Sequence, residues 1–245
     1  MISMSTRRKR TEDISRRLGN VPNTRFFCAV IDCGQPTRAA SGTGLNRHYC
    51  RRHEDHFQRH GSYLKPSYSA AELAPYRKAA EFWLVRHQSD PYVRHALLKV
   101  SWLLASGRPE EAFRLRGLSP EDRAAVAWGR LRKADVNPIR PLAAWLAVEM
   151  RFADDPQPDR SPEFKHVQAA KVVHRMASGT HKRWEREGQD GRPKVVEMHK
   201  YPASRGRVLR HIGRQLEGAA ELLVEHHLAT MRSAVRLPAR PPQHL

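Results

Sequence analysis

The stretch FFCAVIDCGQPTRAASGTGLNRHYCRRHEDHFQRHGSY, residues 26–63, contains all three cysteines of the 245-residue chain. They are Cys28, Cys33 and Cys50, and a histidine, His53, follows the last of them by three positions. Two close pairs separated by a short excursion suit a tetrahedral metal ion, because each pair can hold the ion from one short turn. The spacing therefore predicts a metal site in which these three cysteines and His53 are the ligands.

Zinc is the metal that this ligand set favours. Thiolate and imidazole are its preferred ligands, and it supplies folding energy that a segment of about 40 residues cannot obtain from its own small core. We expect a helix over CRRHEDHFQRHG, beginning at the second ligand pair and stopped by Gly61. His48, His56 and His60 are alternative fourth ligands, and His53 is preferred because it has the conventional spacing from Cys50.

The segment resembles a known zinc-binding module. The matching residues are Cys28, Val30, Cys33, Pro36, Cys50, His53, Arg59, His60 and Gly61. They are similar to the treble-clef-like module at the front of many phage-type HNH endonucleases and related mobile-element proteins. The resemblance covers residues 26–66 and implies a zinc module on a nucleic-acid protein. The resemblance does not imply nuclease activity, because the sequence downstream has no His-Asn-His motif.

Charge gives the strongest global indication of a partner. Lys and Arg number 44 against 25 acidic residues, a net charge of +19. Residues 1–66 carry 13 basic and 5 acidic side chains (net +8), residues 67–160 carry 15 and 12 (net +3), and residues 161–245 carry 16 and 8 (net +8). Such a basic field favours a polyanion, most often nucleic acid, and we expect double-stranded DNA rather than RNA.

The predicted phosphate contacts fall in three places. They are Arg7, Arg8, Lys9 and Arg10 in the N-terminal arm, Arg47, Arg51, Arg52 and Arg59 around the metal site, and Arg207, Arg210 and Arg214 near the C-terminus. Guanidinium groups bind phosphate through two parallel hydrogen bonds. The last three residues are three and four apart, which would align them on one side of a helix. A merely solvated helix face remains the alternative for each helical group.

The sequence predicts a mainly α fold, with a small N-terminal zinc-binding module followed by a multi-helix domain. The expected divisions are a flexible basic arm (1–25), the zinc module (26–66), a helical domain (67–186), a loop with a long C-terminal helix (187–236) and a disordered tail (237–245). Capping residues followed by proline, as at Asp90-Pro91 and Ser119-Pro120, mark helix starts. The candidate helices are 70–87, 91–106, 109–116, 120–134, 140–153, 162–186 and 205–235, with residues 187–206 as a loop.

Apolar residues surround the helix at LAAWLAVEM, residues 142–150, so we expect it to be central. Four tryptophans are predicted to lie in the core or at its edge: Trp83, Trp102, Trp128 and Trp145. The near-neutral helical middle could dock a protein partner, so a helical adaptor in a protein–nucleic acid complex is an alternative function.

Several functions and locations find little support in the sequence. No run of about 18 apolar residues indicates a membrane span. No Walker, G-x-S-x-G or Rossmann motif is present, so the sequence favours a binding protein over an enzyme. A metal-dependent HNH-like nuclease nevertheless remains an alternative. Three cysteines without a secretory signal favour a reducing compartment, the cytoplasm, with nucleoid association if the protein binds DNA.

Overall fold

The computed structural model describes residue 12 and residues 27–108, 117–159, 161–177, 180–187, 193–200 and 206–235. Within its two strands it describes the side chains of Glu185, Lys194 and Val195. The chain divides into two compact units, Met1–Pro66 and Ser67–Leu245. These described residues form seven α-helices and one two-stranded antiparallel sheet. The predicted mainly α class is confirmed.

The helix of the first unit, α1, spans Arg51–His60. Cys50 is its N-cap residue in an extended conformation, and Gly61 ends it with a positive φ of 74°. Glycine adopts this left-handed conformation without the steric cost that a Cβ atom would bring. Both the predicted helix and its stop at Gly61 are confirmed.

The second unit, Ser67–Leu245, is called here the helical unit and contains the remaining elements. They are α2 (Ala70–Arg86), α3 (Pro91–Ser106), α4 (Pro120–Lys133), α5 (Ile139–Ala153), α6 (Pro162–His174), β1 (Thr180–Glu187), β2 (Pro193–Lys200) and α7 (Arg207–Ser233). Local chemistry explains several starts. The Asp90 carboxylate accepts hydrogen bonds from the backbone N–H groups of Tyr92 and Val93, and the Ser119 hydroxyl accepts one from Asp122.

The core of this unit is built around α5, where every residue from 141 to 150 is buried. Helices α2, α6 and α7 pack against it, which confirms the predicted central position. Trp83, Trp128 and Trp145 are buried as expected, but the prediction for Trp102 is wrong because 67% of it is exposed. Trp102 and Leu98, which is 68% exposed, lie four residues apart on α3 and face solvent together.

The segment after α6 corrects a second prediction. The helix expected over 162–186 ends at His174, and residues 180–187 form strand β1 instead. The loop expected over 187–206 contains strand β2, which pairs with β1 along its full length. Neither strand shows a regular alternation of apolar and polar residues, which is why a search for apolar alternation missed them.

Three other predictions fall outside the described residues: the basic arm apart from Glu12, the helix at 109–116 and the tail at 237–245. Among the helices that the structure describes, none combines the length and apolar character needed to span a membrane.

Candidate metal centre

The first ligand pair lies in a tight loop between Phe27 and Pro36, which form an isolated antiparallel bridge. The backbone N–H of Cys28 donates to the carbonyl of Gln35 at 2.8 Å, and that of Cys33 donates to Val30 at 3.1 Å. Asp32 has a φ of 61° and Gly34 one of 59°. These left-handed residues turn the chain back sharply, so that both thiols point to the same side.

The second ligand pair lies at the start of α1. Cys50 caps the helix and His53 lies in its first turn, so one helical turn presents both ligands. Upstream, the side-chain oxygen of Asn46 accepts hydrogen bonds from the backbone N–H groups of His48 and Tyr49, each at 2.9 Å. This Asx turn fixes the direction in which the chain enters the helix.

A backbone hydrogen bond joins the two ligand-bearing segments, from the N–H of Ala29 to the carbonyl of His48 at 2.7 Å. As a result, the Nδ1 atom of His53 lies 3.3 Å from the sulfur of Cys28, 3.5 Å from that of Cys33 and 3.4 Å from that of Cys50. The sulfurs of Cys33 and Cys50 are 3.8 Å apart. All four ligand atoms lie within 4.8 Å of one another, so the cluster could hold a metal ion.

The structure also distinguishes His53 from the alternative fourth ligands, His48, His56 and His60. The ring of His56 hydrogen-bonds through Nδ1 to the carbonyl of Ser62 at 2.8 Å and stacks on His60. Neither these two nor His48 belongs to the cluster found among the described residues. Burial, and then the electrostatic effect of the neighbouring Arg52 and His56 side chains, lower the pKa of His53. The lower pKa favours the neutral imidazole, which is the form that binds a metal.

The excursion between the ligand pairs is ordered by an arginine that the sequence analysis did not single out. Arg38 donates to the carboxylate of Glu54 on α1 at 2.7 Å and to the backbone carbonyl of Thr43 at 2.6 Å. It thereby ties the Gly-containing loop to the helix. No local pattern connects Arg38 with a carboxylate 16 residues away, so this role could only be found from the structure.

Aromatic rings also support α1. The ring of Tyr63 stacks on Tyr49 with centroids 3.5 Å apart and on Phe57 with centroids 4.4 Å apart. These rings are only partly buried. They therefore support the helix without forming an enclosed core.

The four arginines predicted around the metal site are all exposed. Arg51 lies 3.9 Å from Asp55, a weak exposed pair, whereas Arg47, Arg52 and Arg59 form no ion pair within the described residues. A groove of about 640 Å³ beside the cluster is lined by ligands and arginines together, among them Cys33, Cys50, Arg51, Arg52 and His53. The metal cluster therefore lines the same groove as two arginines, Arg52 and the weakly paired Arg51.

The predicted arginine stripe on α7 needs a correction. Arg207 and Arg214 are exposed, but Arg210 is buried and its guanidinium binds the carboxylate of Glu163 on α6. A buried cation requires such a partner, so Arg210 joins two helices and cannot face a phosphate from solvent. The other predicted contacts, Arg7, Arg8, Lys9 and Arg10, lie outside the described residues.

Comparisons of the chain with protein-family models, with curated proteins and with solved structures find no match.

Proposed function

We propose that the protein is a zinc-containing nucleic-acid-binding protein in which a structural zinc ion orders a basic surface that contacts backbone phosphates. The observation that carries the proposal is the four-ligand cluster with exposed arginines beside it on α1. DNA is the expected partner. That expectation, and a phage or mobile-element setting, rest on the resemblance of residues 26–66 to the zinc module of such proteins.

The distances within the cluster support zinc. Zinc binds sulfur at about 2.3 Å and imidazole nitrogen at about 2.0–2.1 Å, so a regular tetrahedron separates two sulfurs by about 3.8 Å and a sulfur from a nitrogen by about 3.6 Å. The sulfurs of Cys33 and Cys50 are 3.8 Å apart, and the three sulfur–nitrogen distances are 3.3, 3.4 and 3.5 Å. Three thiolates and one imidazole also form a soft ligand set that suits zinc better than magnesium or calcium.

The ligand count supports a structural role over a catalytic one. Catalytic zinc sites usually keep one position for water or substrate, whereas a Cys3His set fills all four positions with protein ligands. The described residues contain no second group of three or more histidines, cysteines and acids close enough to share an ion. No observation therefore favours the HNH-like nuclease alternative over binding.

The charges around the cluster support a polyanionic partner. Glu54 on α1 is already engaged by Arg38, and Asp55 lies 3.9 Å from Arg51, so neither acid neutralises Arg52 or Arg59. Arg52 and Arg59 lie seven residues apart, two helical turns, and therefore share a side of α1. Such contacts attract phosphates of any sequence, so they give affinity and positioning without base specificity.

The test compares the wild-type protein with an Arg52→Gln/Arg59→Gln variant on a fluorescent DNA duplex over a series of salt concentrations. Each lost phosphate contact should flatten the slope of log affinity against log salt by about 0.9, so the double variant should lose about 1.8. Arg108→Gln is the matched control, because Arg108 is exposed but lies on the helical unit and pairs with Asp122. An unchanged affinity and slope in the double variant would refute the proposed surface.

The same samples test the alternatives. A nuclease would cleave the duplex when a divalent ion is added, and a pure adaptor would show neither binding nor cleavage. We expect salt-dependent binding without cleavage.

A further inference from the structure

The two strands form a β-ribbon, defined here as β1 and β2 together, with a fully paired register. Thr180 pairs with Lys200, Lys182 with Met198, Trp184 with Val196 and Arg186 with Lys194. Between these pairs, His181 pairs with His199, Arg183 with Glu197, Glu185 with Val195 and Glu187 with Pro193. Paired residues share a face of the ribbon, and successive pairs alternate between faces. The register alone therefore assigns every residue to a face.

The assignment separates the charges by sign. One face, the basic face, consists of Thr180, Lys182, Trp184, Arg186, Lys194, Val196, Met198 and Lys200. It has four cationic residues and no acid. The opposite face has all three glutamates of the ribbon with one arginine, Arg183, which is paired with Glu197. The opposite face thus has one opposite-charge pair and two further acids, whereas the charged residues of the basic face are all cationic.

The basic face also carries an unfavourable pair. Arg186 and Lys194 lie directly opposite each other in the ladder, and like charges at such positions destabilise a sheet. No acidic residue on that face offsets the repulsion. A bound polyanion would remove this cost, because it would place negative charge against both residues at once.

The ribbon side chains that the structure describes are exposed. They are Lys194 of the basic face and Glu185 and Val195 of the opposite face. Neither strand packs extensively against a helix in the described part of the chain. A two-stranded ribbon on its own is only marginally stable in water, so burial against a partner would strengthen it.

We propose that the β-ribbon enters the major groove of duplex DNA with its basic face toward the DNA. The major groove is about 12 Å wide and admits a two-stranded ribbon. Lys182 and Arg186 are four residues apart on β1, a distance of about 14 Å at the usual rise per residue, so cations lie at both ends of an apolar centre. The basic face therefore presents cations on both sides of its apolar centre, at a spacing similar to the groove width of about 12 Å.

The proposal selects DNA over double-stranded RNA. The major groove of A-form RNA is deep and narrow and does not admit protein elements in this way. The inference rests on the proposed function to the extent that the chain binds nucleic acid. It places the contact on a segment separate from the metal cluster, so the two can be tested separately.

The experiment compares Arg186→Gln with Arg183→Gln, which makes the same change three residues away on the opposite face. Arg186→Gln should flatten the salt slope on duplex DNA by about 0.9, and Arg186→Gln/Lys194→Gln by about 1.8, while Arg183→Gln leaves it unchanged. The double change also removes a like-charge pair, so it should not unfold the ribbon. Circular dichroism of each variant checks the fold.

A second readout tests the groove itself. Bulky glucosyl groups on cytosine C5 fill the major groove, so a glucosylated duplex should bind the wild-type protein more weakly than the unmodified duplex does. The ribbon double variant should lose this discrimination. Equal binding to both duplexes, equal binding to duplex RNA, or equal effects of Arg183→Gln and Arg186→Gln would overturn the ribbon proposal. If the wild-type protein binds no nucleic acid at all, both the ribbon proposal and the proposed function fail.

Discussion

Residues 27–66 and the helical unit differ most clearly in what lies at their centres. In residues 27–66 the buried positions are Cys28, Thr37, Cys50, Gly61 and Ser62, none of which is a large aliphatic or aromatic residue. Four large apolar side chains there are largely exposed, namely Phe27, Ile31, Leu45 and Leu64, and Phe57 is only partly buried. The helical unit instead encloses many large side chains at less than 2% exposure, among them Trp128, Trp145 and Phe164.

The difference shows that the two units depend on different sources of stability. Burying one Leu, Ile, Val, Phe or Met side chain contributes about 1.5–3 kcal/mol, and the helical unit does so many times. The N-terminal unit lacks that contribution. Binding of structural zinc to a small module is worth about 10–16 kcal/mol at neutral pH, which is enough to replace a missing core. We therefore expect the metal to control folding of the first unit alone.

The largest expected effect comes from removing a ligand. Cys50→Ser should abolish metal binding and unfold residues 27–66, while α5 and the helices around it remain folded because they have their own core. Hydrogen–deuterium exchange resolved by segment measures this directly. His53→Ala should behave in the same way, whereas His48→Ala should retain the metal. Equal loss of protection in α5 would show that the units are not independently stabilised.

The next largest effect lies in the helical core. Trp128 is 1% exposed and its indole N–H donates to Gln215 at 2.8 Å, so Trp128→Ala leaves a cavity and an unpaired acceptor. The change should cost about 3–5 kcal/mol of unfolding free energy without altering metal content. Trp102→Ala, at the exposed position on α3, should cost about 0.5 kcal/mol or less. Chemical denaturation of both variants measures their unfolding free energies. Equal losses in the two variants would contradict the burial of Trp128 and the exposure of Trp102.

The sequence predicted those features that depend on neighbouring residues. Asp90 and Ser119 cap their helices through hydrogen bonds to residues two or three positions along the chain, so the starts of α3 and α4 could be predicted. The metal cluster was predictable for the same reason, because its two ligand pairs are local.

Features that depend on distant residues were missed. The exposure of Trp102 depends on which side of α3 the other helices cover. The burial of Arg210 depends on Glu163, which is 47 residues earlier. The β-ribbon has no apolar alternation, and its charge pattern becomes meaningful only when the register of both strands is known. In each case the deciding partner lies too far along the chain for a local pattern to indicate it.

A smaller effect is expected where α6 and α7 approach each other. A Cβ atom added at Gly213 would overlap the backbone of His166, so Gly213→Ala should push the helices apart and cost about 1–3 kcal/mol. Gly218, on the same helix, has open space around it. Gly218→Ala should therefore stabilise the protein by up to about 1 kcal/mol through helix propensity. Thermal denaturation of the two variants should show shifts of opposite sign.

The smallest effect is expected for the exposed arginines of α7. Arg214 has 57% of its side chain exposed and lies 3.9 Å from Glu163, and Arg207 is also exposed. Arg207→Gln/Arg214→Gln should change stability by only about 0.5 kcal/mol. The DNA affinity of this variant decides the original prediction for these two residues. Weaker binding to two unrelated duplexes indicates phosphate contacts, and unchanged binding indicates a solvated face.

X-ray absorption spectroscopy of protein purified without chelator can identify the metal and its ligands. We expect one zinc ion per chain, bound by three sulfur atoms at about 2.3 Å and one nitrogen at about 2.0–2.1 Å. Cys33→Ser should lower the sulfur count or remove the zinc. Protein that contains no stoichiometric metal while residues 27–66 remain folded, or a metal bound mainly by oxygen, would show that zinc does not stabilise this unit.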